Sequence, residues 1–426
     1  MTLQPPSLDV HDDTEQAPRP AGRPALVLVV PAGSYRTADF IAAARALRVD
    51  TVVASDAEVP MTDLGLSRTL AIDFDRPEWS AARIAALEPQ PSAVVAGDDK
   101  GVVIAAMASH LLGIPTNPVS AVSMTRDKAH MRGLLDSAGI PQPSYALAHR
   151  GEVSAQVMQL GPPCVIKPRG LSASMGVIRV DTAGEAEFAD GRIRRIVEAK
   201  GGDPDATLLI ERFVAGAEVA VEGLLTDGAL TLLAIRDKPE PLNGPFIEET
   251  LFVTPSRHPV ADQEAIEAIV GRATEALGLV TGAVHAEVRL AVDGPVLIEI
   301  AARSIGGLCG RALTFGLLGE SLESLIIRSA LGLPGQSGAE PAAPASGVMM
   351  LPIPRAGLLA AFDGIDDALA VDGVVEVTQT IPTGSAVVSL PEGDRYLGFL
   401  FAAGATPTEV ERSLRDGYRA LAIEVV

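Results

Sequence analysis

Cysteine is almost missing from this chain: Cys164 and Cys309 are the only two, so neither a disulfide framework nor a paired-cysteine zinc site can be built. That scarcity points to a reducing cytoplasm. Aromatic residues are scarce too, at 4%, although 47% of the chain is apolar; Ala and Val must supply much of the packing of a soluble globular protein. Basic residues are outnumbered, 34 Lys and Arg against 54 Asp and Glu, for a formal net charge of -20. Such a surface argues against nucleic acid and anionic membrane as partners, since both demand a basic face. Any phosphate site must then be assembled locally from a few lysines and arginines. No apolar run approaches the ~20 residues needed to span a bilayer. The Pro- and Asp-rich start, residues 1–24, lacks an apolar stretch of signal-peptide length and reads as a flexible tail. The length of 426 residues exceeds what one hydrophobic core supports and calls for several domains.

What is present is an alternation of strand and helix patterns. Ala25-Leu-Val-Leu-Val-Val30 is an apolar run of the buried parallel-strand type, followed by a loop and a helical stretch over 38–47. Strands over 49–54 and 93–96, with Asp98-Asp99 placed to cap a helix through Leu112, complete a doubly wound α/β domain over 25–118. Its first loop lacks the glycine fingerprint of dinucleotide binding, and Asp56 reads as a cap or turn residue. An amphipathic helix is expected over 125–140, closed by Gly139. From Pro163 to about Leu225 short strands alternate with glycine-rich turns. Helices are expected over 261–277 and 318–332, a Gly-, Ala-, Pro- and Ser-rich linker over 335–346, and a small α+β domain over 347–426 with a helix at 407–421.

Three segments carry chemistry. His285-Ala-Glu-Val-Arg-Leu and Val296-Leu-Ile-Glu-Ile-Ala-Ala-Arg303 flank Val292-Asp-Gly-Pro, a hairpin signal. A loop over 292–294 sets Glu287 opposite Glu299. Two carboxylates side by side on a half-buried sheet repel unless a cation joins them, and Mg²⁺ suits one or two carboxylates plus phosphate oxygens. Pairing of Arg289 and Arg303 with the glutamates is the competing structural explanation. In Cys164-Val-Ile-Lys-Pro-Arg-Gly-Leu-Ser-Ala-Ser-Met-Gly-Val a strand ends in Lys167 and enters a loop with Gly170, Ser172, Ser174 and Gly176. Backbone amides and hydroxyls there suit phosphate oxygens; an ordinary hairpin with a solvated lysine is the alternative. In the third segment Glu211 ends a strand and Glu218 begins another, placed to accept ribose hydroxyls, with the Arg212, Phe213 and Val214 backbone placed to pair with an adenine edge. Charged turn residues would explain these glutamates equally well.

Order and spacing connect the pieces. Lys128, Lys167 with its loop, Glu211, Glu218, Lys238, Glu287, Glu299 and Arg303 resemble the ATP-grasp superfamily, with an α/β domain before them and a small domain after. The runs Glu299-Ile-Ala-Ala-Arg-Ser-Ile-Gly-Gly307 and Tyr396-Leu-Gly-Phe-Leu-Phe-Ala-Ala-Gly404 are similar to the carboxylate-amine ligases typified by bacterial L-amino-acid ligases. The resemblance implies an α/β and α+β multidomain protein with an ATP-grasp domain over 119–334. It implies ATP held by Lys128, Lys167, Lys238, the 170–176 loop, Glu211 to Val214 and Glu218. Glu287 and Glu299 would hold Mg²⁺, with Mn²⁺ as a substitute. Many relatives carry Asn where this chain has Ala301, so one ligand is missing, as in some amino-acid ligases. Arg303 and Lys167 would be catalytic, and Arg303, Gly306, Gly307 and Glu248 would contact substrate. The histidine that often follows three residues after that glutamate is Leu251 here.

The implied reaction is ATP-dependent joining of a small-molecule carboxylate and an amine, amino acids among them, through an acyl phosphate, releasing ADP and phosphate. A biotin-carboxylase-like enzyme and a non-catalytic nucleotide-binding protein are the alternatives; the chain has no Met-Lys-Met for biotin attachment. The identities of the two substrates and the oligomeric state, a homodimer included, are left open by the sequence.

Overall fold

The computed structural model describes residues 24–57, 68–316, 318–334 and 343–426. Residues 1–23 of the expected tail and most of the expected 335–346 linker lie outside the described residues. Four parallel strands, β1 (Ala25–Val29), β2 (Asp50–Ser55), β3 (Thr69–Ala71) and β4 (Ala93–Ala96), form the first sheet in the order β3-β2-β1-β4. Every residue of β1 is buried because helices cover both faces: Leu26 and Leu28 pack with Phe40 of the helix Thr37–Ala46, while Val27 and Val29 pack with Ile84 and Ile104. The sheet order reverses between β1 and β4, and their carboxyl-end loops, 31–36 and 97–100, flank the crevice where such sheets bind ligands.

A second, antiparallel sheet has the order β5-β8-β6-β7, from β5 (Tyr145–Ala148), β6 (Cys164–Lys167), β7 (Ile178–Val180) and β8 (Leu208–Arg212). Its core includes Ala186, Ala189 and Ile193 of a helix, Ala183–Ala199, in the stretch expected to hold only strands and turns. Thr182 and Glu185 form a capping box at its start. The helix expected over 125–140 is two helices, Val119–Arg126 and Lys128–Ser137, separated by Asp127. The Asp127 carboxylate accepts the amides of Ala129 and His130 at 3.0 and 3.3 Å, which starts a new helix at Lys128.

The largest sheet has eight strands in the order β13-β12-β9-β10-β11-β14-β18-β16. They are β9 (Ala217–Thr226), β10 (Ala229–Lys238), β11 (Leu251–Thr254), β12 (Gly282–Ala291), β13 (Gly294–Ala301), β14 (Ala345–Leu351), β16 (Val374–Gln379) and β18 (Gly398–Gly404). This sheet crosses the division expected at 335–346: β14 begins inside it, at Ala345, and pairs with β11 from Leu251↔Met349 to Thr254↔Ser346. β15 (Gly357–Asp363), β17 (Ala386–Val387) and β19 (Ala422–Val425) form a small separate sheet. Among the described residues no helix is long and apolar enough to cross a membrane.

Candidate active site

A cavity of about 680 Å³ opens where the carboxyl ends of β1 and β4, one face of the eight-stranded sheet and the β6–β8 layer meet. Lys128, Lys167, Ser172, Ser174, Glu211, Arg212, Phe213, Val214, Glu218, Glu287, Glu299, Arg303, Gly306 and Gly307 all line it. Lys128 enters from the first turn of its helix and Lys167 from the last position of β6. The Lys128 ammonium lies 3.2 Å from Glu299 and donates to the Leu171 carbonyl at 2.8 Å, tying the glycine loop to the hairpin.

The hairpin turns more tightly than expected. Ala291 pairs with Gly294, leaving Val292-Asp293 as a two-residue turn, and a bulge at Ile298 then restores Glu287 to a place opposite Glu299. Neither carboxylate pairs with Arg289 or Arg303. Arg289 binds Glu218 at 2.6 Å and the carbonyls of Val214 and Leu242 at 2.6 and 2.7 Å. Arg303 donates to Asp99 at 2.7 Å, and Asp99 also faces Arg126 at 3.4 Å. Burial pushes the Asp99 carboxyl upward, but these guanidinium groups hold it well below the usual range. Ala301 lines the cavity beside Glu299.

Several expected contacts are already engaged. Glu211 is buried between Arg132 and Lys167, each at 2.6 Å; burial raises its pKa, and the two cations outweigh that to leave it at about 2. The Arg212 and Phe213 amides donate to Ser144 and Pro163 carbonyls at 2.8 and 2.9 Å, and the Phe213 ring lies between Arg179 and Arg289, so much of the expected adenine edge is committed to strand neighbours. Glu218 bonds Lys238 and Arg289, each at 2.6 Å.

Four expected site residues do not line the cavity. Lys238 is buried beneath its floor, where it pairs with Glu218, with Glu249 and, at 3.5 Å, with Glu287. Gly170 and Gly176 shape the loop instead of facing inward; the Gly176 amide donates to the Pro391 carbonyl at 2.9 Å. Glu248 does not line the cavity, whereas its neighbour Glu249 does. Residues 248–250 lie outside any strand, so no alternation indicates which of the two glutamates faces inward.

Burial and the Glu287 charge raise the Glu249 pKa to about 8 against the pull of Lys238. Burial also opposes ionisation of Glu287, but Lys238 and His285 hold it well below the usual range. The two carboxyls are thus pushed in opposite directions, Glu249 upward and Glu287 downward. Oxygens of Glu218, Glu249 and Glu287 lie within 4.8 Å of one another, and the Lys238 ammonium bonded to that trio supplies a positive charge there. Sequence reasoning also missed Asp99, Arg132 and Glu222, the last of which sits 3.4 Å from His285 and accepts the Ile305 amide at 2.9 Å. Glu222, on β9 opposite His285, was detectable as a glutamate repeating at the four-residue interval after Glu218, on the same strand face.

Residues 160–312 match the family description "ATP-grasp domain", and residues 349–426 match "L-amino acid ligase C-terminal domain 2". A D-alanine–D-alanine ligase of Delftia acidovorans is 32% identical over 234 residues, covering 52% of this chain and 68% of that protein. The alanine–anticapsin ligase of Bacillus subtilis is 28% identical over 235 residues, covering 50% of this chain and 48% of that one. The chain thus spans about half to two thirds of the length of such curated relatives. The crystal structure of an L-amino acid ligase from Bacillus licheniformis superposes with a TM-score of 0.79 at 23% identity, covering 95% of this chain and 99% of that one, which establishes the shared fold. Lysines, glutamates and glycine loop gathered on one cavity, a matching domain and a relative aligned over most of its length agree: the chain belongs to the ATP-grasp family.

Proposed function

We propose that the protein is an ATP-dependent carboxylate-amine ligase that forms an amide or dipeptide bond through an acyl phosphate and releases ADP and phosphate. The observation that carries this reading is the convergence of Lys128, Lys167, Glu287, Glu299 and Arg303 on one cavity from separate elements. Free carboxylates do not acylate amines at neutral pH because the leaving group is too poor. Phosphorylation by ATP supplies a good one, and the requirement placed on the protein is neutralisation of phosphate charge.

Lys128 and Lys167 meet that requirement from two sides, with the Ser172 and Ser174 hydroxyls as further donors. Glu218 keeps lone pairs for ribose hydroxyls even while bonded to Lys238 and Arg289. Glu287 and Glu299 offer hard oxygen ligands to the cavity, a donor set that fits Mg²⁺ or Mn²⁺ and would hold it where it neutralises phosphate charge. Ala301 adds no ligand, so water or a second Glu299 oxygen would have to complete the shell of a bound ion. Arg303, oriented by Asp99, binds the reacting carboxylate and then the oxyanion formed when the amine attacks, with the Gly306-Gly307 backbone beside it. The contact to a substrate amino group moves from Glu248 to Glu249, which lines the cavity; a cationic amine beside it favours the carboxylate form.

Phosphate release on adding amino-acid pairs, with mass spectrometry of the products, tests this. Release that needs both a carboxylate and an amine is expected. ATP turnover indifferent to both, or none across a broad panel, would reject it.

A further inference from the structure

The cavity floor changes character along the sheet. Residues 285, 287 and 289 of β12 share a face with 218, 220 and 222 of β9 and with 236 and 238 of β10. The pairing Asp237↔Val253 places Phe252 across from Lys238 on that face, and Phe252↔Val348 and Met350↔Phe399 continue it. Its β13-to-β10 part is ionic, and its β11-to-β18 part is aromatic and aliphatic.

The Phe399 ring is the centre of this second part. Tyr35 and Tyr396 meet it edge-on with centroids 5.7 and 6.1 Å away. Gly307 lies against it so closely that a Cβ there would come within 2.8 Å of the ring, at a backbone φ of +61° that also favours glycine. Tyr35, Phe252, Cys309, Met350 and Tyr396 line the cavity directly. Bordering cations are engaged: Arg36 with Glu323 and Ser304, Arg395 with the Tyr35 hydroxyl. The Tyr396 hydroxyl donates to the Glu249 carbonyl at 2.9 Å.

We propose that this apolar end receives the side chain of the carboxylate substrate, which is therefore an amino acid with an uncharged, apolar side chain, and that Met350 sets the side-chain size it admits. This rests on the ligase reading, because Arg303 and Gly306-Gly307, assigned there to the reacting carboxyl, lead straight to Cys309 and Phe399. A charged side chain entering here would lose its hydration among Phe252, Cys309 and Met350, where the bordering ions are already bound: Arg36 to Glu323, Asp394 to Lys200 and Glu249 to Lys238, with Arg395 on the Tyr35 hydroxyl at the exposed rim. An apolar one gains by leaving water, and the flexible thioether of Met350 accommodates it.

The test offers the full-length protein ATP, Mg²⁺ and pairs drawn from Ala, Leu, Met, Phe, Asp and Lys, and reads the order of residues in each product. Leu, Met or Phe is expected as the activated residue, with Asp and Lys excluded. Met350→Phe should shift the kcat/KM ratio toward Ala, and Met350→Ala toward Phe, each by about tenfold or more. Titration with a non-hydrolysable ATP analogue should give the same nucleotide affinity in both variants, showing that each is folded. Asp or Lys activated as readily as Leu, or one unaltered ranking in both folded variants, would overturn the proposal while leaving the ligase reading intact. Absence of any amino-acid-dependent phosphate release in the unsubstituted protein would instead reject the ligase reading and the proposal with it.

Discussion

Arg303 is held by Asp99, which lies 204 positions earlier in the chain. Removal of Arg303 would have two consequences on the proposed reading: the substrate carboxylate would lose its partner, and buried Asp99 would be left with Arg126 alone as its close cation among the described residues. Asp99→Asn separates them, keeping the guanidinium while weakening its orientation. Expected in steady-state assays is a fall in kcat with nucleotide affinity retained in Asp99→Asn, and loss of product in Arg303→Ala; unimpaired ligation by Arg303→Ala would remove that residue from the chemistry. Glu211 carries a pH signature. Its pKa falls from 4.5 to about 2 in the folded chain, so its stabilisation, about 3 kcal/mol, is fully present above pH 4.5 and is lost as pH falls toward 2. In urea titrations the stability gap between the unsubstituted protein and Glu211→Gln should narrow over that range; a constant gap would contradict the assignment. Lys167, Glu287, Glu299 and Arg303 were legible because motif order and strand alternation are local signals. Asp99 carried no such signal, and Glu249 was obscured by an equally acidic neighbour outside any strand.

The β5–β8 sheet and its helix are joined to the loop before β18. Arg192 binds Glu392 through two bonds of 2.6 and 2.9 Å, Lys200 binds Asp394 at 2.8 Å, and the Gly176 amide reaches the Pro391 carbonyl. These contacts hold the 170–176 loop over the cavity. Arg192→Ala should speed hydrogen exchange of the loop amides and raise the KM for ATP; exchange unchanged in the variant would mean the loop is held by other contacts. The helix that carries Arg192 was missed although its capping box was present in the sequence, because Gly184 and Gly191 weaken the helical pattern. The hairpin register came out right by compensation, a shorter turn offset by the bulge at Ile298. Bulges depend on neighbouring strands, so they leave little local trace.

At the scale of the molecule, the eight-stranded sheet makes the C-terminal segment part of the cavity floor. All four residues of β11 are buried, and β14 supplies their pairing partners. A chain ending at Pro334 would expose that edge and should lose cooperative unfolding; a sharp transition in the truncated protein would show the segment to be an independent domain. A linker-like composition suggested such a division, and the family match to residues 349–426 begins close to it; the pairing of β14 with β11 across it is a non-local property that composition does not show. The central claim is that a substrate carboxylate is phosphorylated by ATP inside this cavity. The most direct measurement supplies that carboxylate labelled with heavy oxygen and follows the isotope by mass spectrometry during turnover. Transfer of a labelled oxygen into the released phosphate, with ADP as the nucleotide product, is the predicted result; unlabelled phosphate, or label appearing in AMP, would contradict it.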